Sequence, residues 1–429
     1  MKLPPDHPQR IELNDEVHAR PPEPLAAPAR VSYLALLVGQ DRHDAGTAAI
    51  AGLCRRYGMA PPAAGVTHFS ARFPGFRLRW ERHTEFLRWM FVVDGPVAEP
   101  FAEPALAAVP PEWVAQLPGQ LMVAAHAALI AGGESGTGPD EAARCWFAGN
   151  MLVGAAVSGG AATALTDFRI HSDGFSRHLV IDRATTPWQA GRLMQRLLEI
   201  DTYRVMALLA LPVVRAATPL LAAAEKELAL ITAELVTAKE EAEPGLLDRL
   251  TRLEAETEAR LAETRYRFSA AAAYHELVQR RIEELREQRI QGLQTFREFT
   301  ERRLAPAMAT CRSVAARQES LSQRVSRATR LLSTRVDLTR ERQNQALLAS
   351  MDRRARLQLR LQSTVEGLSV AAVTYYVVGL VGHVAEALRD TGVHLNPDLV
   401  MGGAIPVVAV AAAFGLHRIR RSVTRPRDS

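Results

Sequence analysis

Two apolar runs close to the C-terminal end, each bracketed by arginines, restrict this chain more than any other feature. Residues 368–388 read LSVAAVTYYVVGLVGHVAEAL, with Glu386 as the sole charge, and residues 399–416 read LVMGGAIPVVAVAAAFGL, with none. A helix needs roughly 20 apolar residues to cross the hydrocarbon core, so both runs are long enough. Arg353, Arg354, Arg356 and Arg360 precede the first run; Arg418, Arg420 and Arg421 follow the second. The connection between them carries only Arg389. Lys/Arg excess marks the cytosolic side of a span. The expectation is transmembrane helix 1 over 365–388, a short external loop over 389–398, transmembrane helix 2 over 399–417 and a basic cytosolic tail over 418–429. That corresponds to a multi-pass protein of a bacterial inner membrane with both termini in the cytosol. The opening MKLPPDHPQR holds no apolar run of signal-peptide length, so the N-terminal domain is expected to stay on the side of its synthesis.

Composition fits a globular chain with a small embedded share. Hydrophobic residues make up 48% of 429, too few for a transporter of many spans and too many for a disordered chain. The formal charge of +5 could point to nucleic acid. The arginines, however, cluster beside the apolar runs, where they suit anionic headgroups, and no basic groove interleaved with aromatics accompanies them. No nucleic-acid partner is expected. Cys54, Cys145 and Cys311 are far apart, form no CxxC pair and predict neither a disulfide framework nor a zinc site.

Upstream, VSYLALLV over 31–38 reads as a buried strand and 41–58 as a helix. FRLRWERH and TEFLRWMFVV read as two further strands, and the Pro-rich stretch 96–118 as irregular or a surface excursion. QLMVAAHAALI fits a strand or a short helix. CWFAGNMLVGAAV, ATALTDFRI and SRHLVID fit successive strands. The expected fold class is therefore an α/β N-terminal domain over 1–185, a long helical, coiled-coil-like stalk with antiparallel helices over 186–364, and two C-terminal transmembrane helices. In the stalk, a Thr-Pro entry at Thr186 starts the first helix, and Pro212 and Pro219 interrupt or kink it. A second helix is expected over 246–304, with Leu246, Leu250, Leu253 and Leu261 near heptad spacing. The 90 residues between Pro306 and Pro397 contain no proline. As one helix they would span about 135 Å at 1.5 Å per residue and enter the bilayer without a break.

On the first span, Ser369, Tyr376, His383 and Asp390 recur every seven residues, and Ala372, Gly379 and Glu386 follow three later. Polar and small residues inside a membrane face protein or water rather than lipid. Ser369, Tyr376, Gly379, His383 and Glu386 are thus the candidate pore or packing face, and self-association through stalk and span is expected. Other clusters carry less. GGESGTG at 132–138 lacks the Gly-Lys-Ser/Thr ending of a phosphate loop and reads as a linker. Asn14, Asp15, Glu16, His18 and Arg20 read as a capped turn rather than an ion site. His171, Asp173 and His178 read as turn residues, with metal ligation as the sharper alternative. No catalytic motif is found and no cofactor is predicted.

The runs LNDEVHARPPEPL, RLLEIDTYRVMALLALPV and LLASMDRRARLQLRLQSTVEGLSVAAVTYYVVGLVGH resemble the bacterial membrane-anchored family called domain of unknown function 3422, across nearly the whole chain. That resemblance implies a membrane anchor and no established activity. The layout is also similar to CorA-type metal-ion transporters, in which the first span lines a pentameric pore. Their Gly-Met-Asn signature is replaced here by Gly392, Val393, His394, Leu395 and Asn396. The expectation is a homo-oligomeric, membrane-anchored protein whose cytosolic head binds a ligand or partner. The alternative is a CorA-like channel passing a divalent cation, and an enzyme in the head ranks third.

Overall fold

The computed structural model describes residues 4–11, 13–14, 22–39, 44–63, 65–95, 99–132, 138–390 and 396–423, with backbone alone at 389–390 and 419–423. The chain divides into two compact units: Met1–Thr237 with Asp248–Thr329, and Ala238–Leu247 with Arg330–Ser429.

The first unit is built on one sheet. Strands β1 (Ala29–Leu37), β2 (His68–Phe73), β3 (Phe76–Arg82), β4 (Phe86–Asp94), β5 (Gln120–Ala131), β6 (Val153–Val157), β7 (Ala162–Thr166), β8 (Ser176–Asp182) and β9 (Gln288–Arg289) lie in the order β2-β3-β4-β1-β5-β8-β7-β6-β9. Strands β5 and β8 pair in parallel, and the other strand pairs described are antiparallel. Period-2 alternation sorts the side chains. Leu78 and Trp80 of β3, with Leu87, Trp89 and Phe91 of β4, share one face with Leu34 and Leu36 of β1. Helix α1 (Ala45–Arg56) covers that face through Ile50, Leu53 and Cys54. Ala105, Val109 and Leu117 also belong to this core; the described part of the Pro-rich stretch holds a 3-10 turn over Ala105–Ala108 and a short helix over Pro111–Val114 rather than being irregular throughout. QLMVAAHAALI resolves as strand β5. Cys145 and Trp146, expected in a strand, end helix α2 (Pro139–Trp146) instead, and β2 had no counterpart in the sequence reading.

Helix α3 (Pro187–Leu208) opens on a capping box: the Thr186 hydroxyl accepts from the Gln189 N–H, and the Gln189 side chain accepts from Thr186 N–H. It buries Leu193, Met194, Leu197 and Ile200 and bonds to the sheet through Tyr33 and Thr202, 2.8 Å apart. The compact sheet unit thus extends past residue 185. Helix α4 (Ala210–Thr237) follows with Pro219 inside it, and α5 runs over Glu243–Leu285. The expected helix 246–304 is broken. Arg286 adopts a positive φ of 49°, β9 joins the sheet edge beside β6, and α6 (Phe296–Arg303) restarts on a second capping box at Thr295. Helix α7 then covers Ala305–Asp390 with Pro306 in its first turn and Gly367 in its interior, and α8 covers Pro397–Val423.

Heptad-like spacing explains why α4, α5 and α7 bundle. Buried positions on α5 include Leu250, Leu253, Thr257, Thr264, Phe268, Ala271, His275, Val278 and Ile282; on α7 they include Met308, Cys311, Val314, Gln318, Leu321 and Val325. Arg249 of α5 pairs with Glu227 of α4 at 2.8 Å, and Arg317 of α7 pairs with Glu225 of α4 at 2.7 Å. In the second unit Glu243, at the start of α5, is buried against Arg335 of α7 at 2.7 Å.

Two spans were expected. Among the described residues, three stretches are long and apolar enough by length and composition: Pro187–Thr237, Ala305–Leu388 and Pro397–Arg418.

Candidate functional site

The apolar windows of the three stretches differ in how much protein covers them: 28% of the first is buried, 11% of the second and none of the third. On α7 the partly or fully buried positions beyond Gly367 are Val370, Thr374, Val378, Val381, Gly382 and Ala385, recurring at helical spacing. Gly382 makes the close approach to α8, because a Cβ there would run into the Met401 side chain. Gly379, by contrast, has nothing within 4 Å of where its Cβ would stand.

All five residues singled out on this helix, Ser369, Tyr376, Gly379, His383 and Glu386, are exposed and lie outside that contact. The Ser369 hydroxyl is satisfied by its own helix, donating to the Val365 carbonyl at 2.9 Å. His383 Nδ1 and Glu386 Oε2 stand 3.8 Å apart. Tyr376, Gly379 and His383 also line an open groove of about 860 Å³ along the hairpin, with Val370, Thr374 and Met401. The hairpin therefore presents an apolar surface carrying one exposed polar stripe. Arg353, Arg354, Arg356, Arg360 and Arg418 are exposed, and Arg356 pairs with Asp352 at 2.5 Å. The side chains of Arg420, Arg421 and Asp390 lie outside the described residues, as do Asp15, Glu16, His18, Arg20, Gly392, Val393, His394, Leu395 and most of the GGESGTG loop.

The sheet unit holds a second concentration of charge that sequence reasoning missed. Alternation puts Arg77, Arg79 and Glu81 of β3 on the face opposite Trp80; Arg77 pairs there with Glu23 and Asp94, and Glu81 meets Arg88 of β4. Arg88 donates to Glu81 at 2.7 Å and to Glu199 of α3 at 2.9 Å. Arg79 also donates to Glu81, at 2.7 Å, and Gln195 and Arg281 donate to Glu199. Burial alone would push the Glu81 carboxyl up; Arg88, His83 and Arg79 outweigh it and hold it well below the usual carboxylate range. Glu199 is likewise held down, by Arg88 and Arg281 against its burial. A second clasp joins Arg267 of α5 to Glu85 at 2.7 Å. The FRLRWER alternation foretold the strand, but the partners at 199 and 281 come from distant helices.

His171, Asp173 and His178 are not brought together. His171 faces Asp167 at 2.9 Å, Asp173 faces Arg177 at 3.3 Å, and His178, far from being a turn residue, is buried in β8 against Asp201 at 3.2 Å. Among the described residues no group of three His, Cys, Asp or Glu is placed to hold a metal ion. Ser176 also donates to Asp201, at 2.7 Å. Serine and histidine thus share one carboxylate, leaving the serine no base, and all three residues are buried. That arrangement fastens β8 to α3 and does not activate a nucleophile. His126 is pressed down to about 4 by burial, with Arg177 adding and Asp173 opposing, and it stacks on Phe175 at 3.8 Å. Cys54 and Cys311 are buried thiols and Cys145 is exposed.

No curated protein and no solved structure matches the chain. The likeness in layout to CorA-type transporters gains no support from these comparisons. One family model covers almost everything described above, from the approach to the sheet to the end of α8. The chain belongs to the family described as protein of unknown function (DUF3422), whose model matches residues 5–423.

Proposed function

We propose that this is a membrane-anchored, self-associating protein of a cytoplasmic membrane, held by the α7–α8 hairpin, with a cytosolic sheet-and-bundle head that receives a ligand or partner. The observation that carries this reading is the exposure of large apolar residues on both arms of the hairpin. Leu368 is 75% exposed, Leu380 68%, Leu399 76% and Phe414 68%. A soluble monomer does not leave such a surface open to water, and lipid would cover it. The stretch Pro187–Thr237 is read as protein-packed, since α3 carries the buried Glu199 and Asp201 and α4 pairs with α5 and α7. The exposed arginines before and after the hairpin suit anionic headgroups on the cytosolic leaflet.

Topology tests the anchor. A phosphatase reporter that works only outside the cytosol should be active when inserted near residue 393 and silent when fused after Ser429. An active fusion after Ser429, or full-length protein in the soluble fraction, would end the proposal.

A second copy is the partner that the stripe fits, because His383 and Glu386 facing lipid would be costly. With Cys145 replaced by serine, Gly379→Cys should form disulfide-linked dimers in membranes, whereas Val373→Cys, off the stripe, should remain mostly monomeric. Equal cross-linking at both positions would remove the case for a specific face.

A further inference from the structure

The bundle contains a cavity that the anchoring role does not use. It lies between α5 and α7 inside the first unit, measures about 330 Å³, and is lined on its apolar side by Leu261, Phe268 and Met308. This is the low end of the size range of small-molecule sites.

His275 occupies one of the heptad-like buried positions and lines this cavity. The residue is 5% exposed, and its Nε2 is buried without a hydrogen-bond partner. A buried ring nitrogen left unpaired forfeits the bond it would make with water, so such groups are rare unless something supplies the partner. Arg265 and Arg312 line the same cavity, are exposed, and make no ion pair among the described residues. The opposing charge there is Glu319, which accepts from Gln323 at 3.0 Å. Two guanidiniums against one carboxylate leave the mouth net positive. Burial, with Arg312 adding, presses the His275 ring toward its neutral form.

An apolar wall, an unpaired ring nitrogen and two free guanidiniums describe a ligand with a greasy chain and a single anionic head. We propose that this cavity binds a single-chain amphiphilic carboxylate, with its chain against Phe268 and Met308, its head at Arg265 and Arg312, and a hydrogen bond to His275, whose ring turns to bring the enclosed Nε2 to the head. Charge-assisted bonds from guanidinium to carboxylate supply the selectivity for an acid over an alcohol.

Equilibrium dialysis of radiolabelled decanoate tests this on the full chain in phosphatidylcholine nanodiscs, with empty discs subtracted. Decanoate should bind saturably, and decanol should fail to compete. The Arg265→Gln/Arg312→Gln double variant, altered only at exposed positions, should weaken binding about tenfold or more. His275→Leu should weaken it as well. No saturable uptake above empty discs, unchanged affinity in the double-glutamine variant, or competition by decanol equal to that of unlabelled decanoate would each overturn the proposal.

Discussion

Replacing Arg88 by methionine should cost the sheet unit ~3 kcal/mol, because it takes a shared guanidinium from two buried carboxylates at once. Arg88, Glu81 and Glu199 have side chains no more than 5% exposed. Glu81 would keep Arg79, and Glu199 would keep Arg281 and Gln195, which sets the expectation at the lower end of the range for a broken buried pair. For a unit of this size, with an unfolding entropy of roughly 2.1 cal/mol/K per residue, the loss corresponds to a fall in melting temperature of about 4–5 °C. It is read as the thermal midpoint of the purified full chain, with protease resistance of the head as a second measure. Adding Glu199→Gln to Arg88→Met should recover part of the loss, since removing both charges costs less than orphaning one. A midpoint within about 1 °C of the parent for Arg88→Met would mean that the network carries no stability.

The second large effect is expected at Gly191, in the first turns of α3. A Cβ there would overlap the carbonyl oxygen of Glu23 and stand 2.9 Å from its carbonyl carbon. That obstacle is backbone and cannot rotate aside. It is held in place by the Leu25 N–H donating to the Pro187 carbonyl at 2.9 Å and by the buried Leu25 side chain. Helix propensity alone would make Gly191→Ala favourable by about 1 kcal/mol. The collision should reverse the sign and leave a net loss of ~2 kcal/mol or more. Gly52 in α1 is the matched control, because nothing closer than 4.0 Å meets its Cβ, so Gly52→Ala should stabilise slightly. Thermal midpoints moving in opposite directions would bear out the argument. A gain at both positions would show that the Glu23 segment yields.

The contrast between these two glycines also indicates what the sequence could disclose. Local pattern carried far. Alternation in FRLRWER and FLRWMFVVD marked β3 and β4, and Thr186-Pro187 marked the start of α3. Less local features escaped. The Pro74-Gly75 turn, with Gly75 at a φ of 92°, signals a hairpin that would have revealed β2, yet HFSARF alone is too polar to announce a strand. The chain from Arg286 to Gln294 reads as helix because its charged residues suit one; tertiary pairing with β6 overrides that preference. On the hairpin, length and arginine flanks were plain. Which face of α7 meets α8 was not, because apolar residues surround the helix and only the Met401 contact selects Gly382 over Gly379. The cavity at His275 was hidden for a related reason: one histidine in a heptad looks like any other until the neighbouring helix fails to supply its partner.

The short pairing of Gln288 and Arg289 with β6 reaches beyond its two residues. It means that the sheet is finished by chain arriving more than a hundred residues after β8, once α3, α4 and α5 have been made. A fragment ending near residue 185 would therefore leave β6 with an open hydrogen-bonding rim, inviting edge-to-edge aggregation. During synthesis the growing head must wait for the polypeptide to turn back before its last seam can close.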